Sequence, residues 1–292
     1  GNLIVNMDSE FDKYFGSSSN LVNDNAKLTF NVASGIEQEL ISETAVSFVG
    51  GGVFEKSGDG TLTITGNWEN LSGGTVISDG ILEYVSSADL YSSMISGDVN
   101  ISNGATFQID NQSGKDFILS NKLIGDTGSN FVIDGEDDSL VILNGDNAGF
   151  GGVTTISRGD LSFTKNDNNS FVGGSVNIDN TNSTLIYSTD TDGEVIKSLS
   201  GIGTIEKQGT GELTVNMDDF SGLANVNAGT LTVNADEQNE DSDGKFGFNA
   251  NVAANSTLNY NAGVNDTYNI NSDSTFIFNS VDSGATINFS NG

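Results

Sequence analysis

The residues able to do chemistry in this chain are carboxylates. Forty Asp and Glu stand against ten Lys and Arg, a formal charge of −30, and there is no His and no Cys. Cysteine nucleophiles, thiolate and imidazole metal ligands, imidazole general bases and Ser-His-Asp constellations are therefore excluded. The acids are densest at Asp236, Glu237, Glu240, Asp241 and Asp243. Hard cations take several oxygen ligands from a flexible loop, so these five are the candidate Ca²⁺ ligands, and no other cofactor is expected. A solvated loop is the plainer reading, because neither EF-hand spacing nor a Gly-Gly-x-Gly-x-Asp array is present. Asp134, Glu136, Asp137 and Asp138 form a second loop of the same kind.

Two carboxylates facing each other across a groove can cleave a glycosidic bond, and Asp190, Asp192 and Glu194 are close enough in sequence to supply such a pair. With forty acids in 292 residues, however, neighbouring acids are inevitable. The ten cations are dispersed, which suits a polysaccharide lyase poorly, and the expectation is that the chain is not an enzyme. Arg158, Gly159 and Asp160 spell an integrin-type tripeptide at a predicted turn and are the candidate binding residues. The repeat described below already requires a glycine there, so a chance match competes. Trp68 could stack on a sugar ring, although packing against the fold is more ordinary.

The elements that must position these groups are written in repeats. One sentence of about 30 residues recurs at about 54–85, 131–163 and 205–233, the starts lying 77 and 74 residues apart. The first copy reads Phe54-Glu-Lys-Ser-Gly-Asp-Gly-Thr-Leu-Thr-Ile-Thr-Gly66, then Ser72-Gly-Gly-Thr-Val-Ile-Ser-Asp-Gly-Ile-Leu82. The last reads Ile205-Glu-Lys-Gln-Gly-Thr-Gly-Glu-Leu-Thr-Val215, then Val226-Asn-Ala-Gly-Thr-Leu-Thr-Val233. The middle copy is degraded, with Phe131-Val-Ile-Asp-Gly135 and no Lys. A fixed period of this kind marks stacked units that cannot bury an apolar face alone.

A shorter beat runs beneath it, with anchors from Leu3, Leu28 and Phe54 through Leu231 and Leu258 to Phe276 at steps averaging about 25 residues. Segments such as Thr61-Leu62-Thr63-Ile64-Thr65 alternate apolar and polar positions, the half-buried strand pattern. Thirty-seven Gly and no Pro complete a strand-and-turn composition. The sequence predicts an all-β chain, a right-handed parallel β-helix or β-solenoid of about 12 coils, with 1–292 as one solenoid segment. Leu62, Ile64, Leu82, Tyr84, Leu213, Val215, Leu231 and Val233 are predicted to point inward. Gly60, Gly80, Gly159, Gly211 and Gly229 are expected at corners with positive φ. An antiparallel sandwich is the rival architecture, disfavoured by the lack of recurring two-residue hairpin turns.

The run Lys56-Ser-Gly-Asp-Gly-Thr-Leu-Thr-Ile-Thr-Gly66 with Ser72-Gly-Gly resembles the passenger-associated transport repeat of bacterial autotransporters, and Lys207-Gln-Gly-Thr-Gly-Glu-Leu-Thr-Val215 is similar. Leu223 departs from the pattern where the second Gly of Ser-Gly-Gly belongs. The resemblance implies a β-helical passenger of a Gram-negative bacterium, exported through an outer-membrane barrel and displayed at the cell surface or secreted. Such passengers are commonly adhesins or biofilm factors. Adhesion, self-association or biofilm formation is the expected role. The expected partners are a host or neighbouring cell surface, through a glycan or protein receptor, or another copy of the chain. A carbohydrate-active β-helix enzyme and a surface-layer or phage structural protein are the alternatives.

The charge of −30 repels nucleic acid and anionic membrane surfaces. No apolar stretch approaches the roughly 18 residues of a membrane span, so this segment is not expected to insert directly. The chain opens Gly1-Asn2, and residues 251–292 continue the coil beat. Both features suggest a processed or excised segment, with any signal or barrel lying outside it.

Overall fold

A computed structural model of the chain describes residues 1–9, 20–42, 48–66, 68, 71–86, 97–102, 104–112, 114, 116–167, 169, 171, 173–235, 249–261, 267–270, 275–280 and 286–289. Among them every regular element is a β-strand. They fall into two compact units, Gly1–Thr154 with Asn169–Gly173, and Thr155–Asn168 with Gly174–Gly292.

In the first unit one face is a ladder of Asn2–Met7, Lys27–Val32, Val53–Ser57, Thr75–Ile77, Val99–Ile101 and Leu123–Gly125. A second is built from Glu37–Ser42, Thr61–Gly66, Ile81–Ser86, Thr106–Asn111 and Asn130–Asp134. In the second unit one ladder runs from Ser175–Ile178 through Glu194–Gly201, Glu212–Phe220 and Thr230–Ala235 to Thr257–Asn261. The other runs from Asp160–Thr164 through Thr184–Ser188, Thr204–Gln208 and Leu223–Val226 to Asn249–Val252. These neighbours pair in parallel, as in Leu62↔Leu82, Ile64↔Tyr84, Leu213↔Leu231 and Val215↔Val233. The chain is an all-β parallel β-solenoid.

The described residues make about nine turns. Anchor spacing suggested twelve because the same beat occurs on every face. Phe54 lies on one face of the first unit, Leu82 and Phe107 on the other, and in the second unit Leu185 and Leu231 are likewise divided. Counting anchors along the chain therefore mixes steps up one face with steps between faces. Leu3 is 60% exposed, because among the described strands Asn2–Met7 is paired on one side only.

Period-two alternation decides what is buried. All eight residues predicted to face inward are at most 1% exposed. Aromatic rings stack up the interior as well, Phe107 on Phe131 with centroids 5.8 Å apart and Tyr84 on Phe117 at 5.4 Å. Tight turns feed the strands: Ser129, Ser139 and Ser183 each donate a backbone N–H to a carbonyl three residues earlier, and all three are buried at the corner.

The first and last copies of the repeat take the same path. Each supplies two neighbouring strands to one face and two to the other: Val53–Ser57 beside Thr75–Ile77 and Thr61–Gly66 beside Ile81–Ser86, then Thr204–Gln208 beside Leu223–Val226 and Glu212–Phe220 beside Thr230–Ala235. One copy is thus a pair of stacked coils.

Candidate functional site

Alternation from Phe54 places Lys56 at an inward position, opposite Ile77, and alternation from Ile205 places Lys207 opposite Val226. Both lysines are 0% exposed. A buried ammonium is costly unless its three N–H groups are paired. At Lys56 they are: Nζ donates to the carbonyls of Ser57 at 3.1 Å, Gly58 at 2.7 Å and Asp79 at 3.1 Å. Lys207 Nζ repeats the arrangement with Gln208 at 2.6 Å, Gly209 at 2.8 Å and Ala228 at 3.3 Å. Burial pushes Lys56 down to about 8 while Asp79 and Asp59 pull it up, and Lys207 is likewise lowered by burial and opposed by Asp190 and Asp192.

Against each lysine corner lies the corner glycine of the next coil, at φ +65° in Gly80 and +67° in Gly229. The sequence also placed Gly60 and Gly211 at positive φ, but Gly58 and Gly209 adopt it instead, at +75° and +74°. Gly60 and Gly211 are required by close approach: a Cβ would stand 2.3 Å from the carbonyl oxygen of Ala33 or Thr191 on the coil before. The Lys-x-Gly-x-Gly string is therefore a corner clasp. Sequence reasoning quoted both lysines without a role; their parity with the buried Phe54 and Ile205 was the signal.

Of the three carboxylates close enough in sequence to supply a glycosidase pair, Asp190 and Asp192 serve the same corner in the second unit. Asp190 accepts from Thr210 through its backbone N–H at 2.8 Å and its Oγ1 at 3.1 Å, and Asp192 accepts from the Glu212 N–H at 2.9 Å. The backbone hydrogen bond from Thr210 holds the Asp190 carboxyl below its ordinary value. Glu194 accepts from the Tyr187 hydroxyl at 2.9 Å and pairs with Lys165 at 3.8 Å. Burial, followed by the Glu194 charge, raises the Tyr187 phenol.

Of the integrin-type tripeptide, Arg158 is exposed and Gly159 has φ +81°. Asp160 Oδ1 accepts the Thr184 backbone N–H at 2.7 Å, so this carboxylate ties its strand to the neighbouring one. Asp236, Glu237, Glu240, Asp241 and Asp243 lie outside the described residues. Glu136, Asp137 and Asp138 are exposed around a turn, and no group of three or more acids among the described residues is gathered closely enough to hold a metal ion. Trp68 is only 6% exposed, stacks on Phe48 at 5.4 Å and donates Nε1–H to the Thr65 carbonyl at 3.0 Å, so its ring is committed to the interior.

The first copy carries a second paired charge, on the half-buried Glu55. Glu55 accepts from Thr29 at 2.7 Å, Lys27 at 3.0 Å and Ser78 at 2.8 Å. Burial raises its carboxyl, but the hydrogen bonds from Thr29, Lys27 and Ser78 and the Lys27 charge outweigh it, leaving the group below its ordinary 4.5. Because the folded value lies below the unfolded one, Glu55 stabilises the first unit above the unfolded value, and the contribution is lost as pH falls through the folded value. Thermal melts from pH 6 to 3 should fall less steeply for Glu55→Gln than for the unchanged chain. Parallel curves would contradict this.

Fold and clasp together define a parallel β-solenoid with a two-coil module repeated in each unit. The passenger-associated-transport-repeat family model matches residues 54–83 and 205–233, the two segments that carry the clasps. No curated protein and no solved structure matches the chain significantly. Repeat and solenoid fit an autotransporter passenger or stalk, and the repeat family implies a protein displayed at the surface or secreted.

Proposed function

We propose that residues 1–292 form one extracellular β-solenoid segment of a surface-displayed bacterial protein, acting in adhesion and self-association without catalysis. The observation that carries this reading is the use of chemically able groups as fastenings between coils: Lys56, Lys207, Asp160, Asp190 and Asp192 all hold the stack. What faces outward is a set of polar ladders. Asn31 donates to Asn6 at 2.9 Å, Asn251 to Asn225 at 2.9 Å, and Glu83 accepts from both Thr63 at 2.7 Å and Gln108 at 2.9 Å. Repeated amide and hydroxyl columns can meet a like face or a glycan through many weak hydrogen bonds.

Charge sets the conditions. At −30 two copies repel, so self-association should strengthen as salt shortens the screening length from about 10 Å at 0.1 M to about 3 Å at 1 M. Sedimentation velocity over that series should show the weight-average mass rising with salt. An unchanged monomer throughout would remove self-association and leave receptor adhesion, while association that weakens with salt would point to attraction between opposite charges. The same preparation should release no fragments from a panel of polysaccharides. Saturable release abolished by a single Asp→Asn change would overturn the non-catalytic reading.

A further inference from the structure

Both clasps are asymmetric along the chain. Lys56 takes two carbonyls from its own corner, Ser57 and Gly58, but the third, Asp79, belongs to the coil that follows, 23 residues on. Lys207 likewise takes Gln208 and Gly209 from its own corner and Ala228 from the next coil, 21 residues on. An ammonium has three donors and no acceptor, so a coil standing alone offers this group only two of its three partners.

The third arrives together with a lid. A Cβ on Gly80 would stand 2.8 Å from Lys56 Nζ and 2.4 and 2.5 Å from the carbonyl oxygens of Gly58 and Gly60. A Cβ on Gly229 would stand 2.5 Å from those of both Gly209 and Gly211. In each case the following corner is seated directly on the clasp. Withdrawing that corner removes one hydrogen-bond acceptor and the cover over a charged group in the same step. The acids around each ammonium, Asp59 and Asp79 at the first and Asp190 and Asp192 at the second, likewise include one or more from outside its own corner.

We propose that Lys56 and Lys207 are latches between successive coils, so that each motif coil and the coil after it open and close as one cooperative unit. The middle copy supplies the contrast within the same chain. Its fully buried Ile133 matches Lys56 in the sequence but lies in the ladder of Ile64, paired with Ile109, and its coil is held at that point by apolar packing. Apolar contact is non-directional and weakens gradually as coils separate, whereas an ammonium shared between two corners loses a directional partner in one step.

Amide hydrogen exchange on the full chain, read by mass spectrometry of peptides, tests this. In the unchanged protein, peptides covering 57–60 and Ile81–Ser86 should exchange with one shared opening rate, and so should 208–211 with Thr230–Ala235. In Lys56→Met, which keeps the side chain long and apolar, exchange in Ile81–Ser86 should accelerate by about 10-fold to 100-fold, corresponding to loss of a hydrogen bond to a charged group. Lys27–Val32, one coil earlier, should keep its rate. Lys207→Met should do the same to Thr230–Ala235 and leave the first unit untouched. Different opening rates for the two corners in the unchanged protein would overturn the proposal without any variant. So would a uniform acceleration across the unit in Lys56→Met, which signals ordinary stabilisation, or no acceleration at all.

Discussion

Leu231→Asp is expected to unfold the second unit at ordinary temperature. Leu231 is 0% exposed and lies in register between Leu213 and Leu258, so the new carboxylate would meet apolar side chains above and below it. Removing the Leu packing costs about 2–5 kcal/mol. Burying an unpaired charge adds several more, unless the group protonates. Against a total stability of about 5–15 kcal/mol, that sum removes most or all of it. Leu231→Ala should show the packing part alone. Melting followed by circular dichroism should give a moderate drop for Leu231→Ala and loss of the cooperative transition of the second unit for Leu231→Asp. A melt for Leu231→Asp that coincides with the unchanged protein would mean that Leu231 does not face the interior.

Gly229→Val carries the second large expected effect. At φ +67° any L-side chain is strained by about 1–2 kcal/mol. Here the added carbon would also overlap two carbonyl oxygens at 2.5 Å, which no rotamer change can relieve because both are backbone. The two coils would have to part, breaking ladder bonds and exposing Lys207. A control in the same unit is Gly193, at φ +90° with nothing within 4 Å of its hypothetical Cβ. Gly193→Val should cost only the backbone strain, so its melting point should fall by a few degrees while that of Gly229→Val collapses. Equal losses at the two positions would show that the corner does not press on the clasp.

Period-two alternation needs only local sequence, which is why the interior positions of Leu62, Tyr84, Leu213 and Val233 were legible. So was the module in its first and last copies, which keep their order. The face each strand joins was not, since Thr-Leu-Thr reads alike on any wall, and the turn count suffered. Nor were the partners of the acids: Asp190 meets Thr210 and Asp160 meets Thr184 only once the register between coils is known. That is why Asp190 and Asp192 could be read from the sequence as part of a carboxylate set but not as acceptors for the backbone of the next coil. The lysines were legible in hindsight, because a charged residue at an inward position of a strand must carry its own solution for its donors. Only the next coil, more than twenty residues on, shows that the solution is three carbonyls.

The claim on which most of this rests is that the repeat is a corner clasp closed by a buried lysine. Nuclear magnetic resonance of ¹⁵N-labelled lysine side chains observes it directly, because an exposed ammonium loses its protons to water too fast to be seen near neutral pH whereas a caged one keeps them. Slowly exchanging ammonium signals are expected from Lys56 and Lys207, each correlated to backbone carbonyls of two coils and each removed singly by Lys56→Met and Lys207→Met. Ammonium protons at both positions that exchange as fast as those of free lysine would contradict that claim.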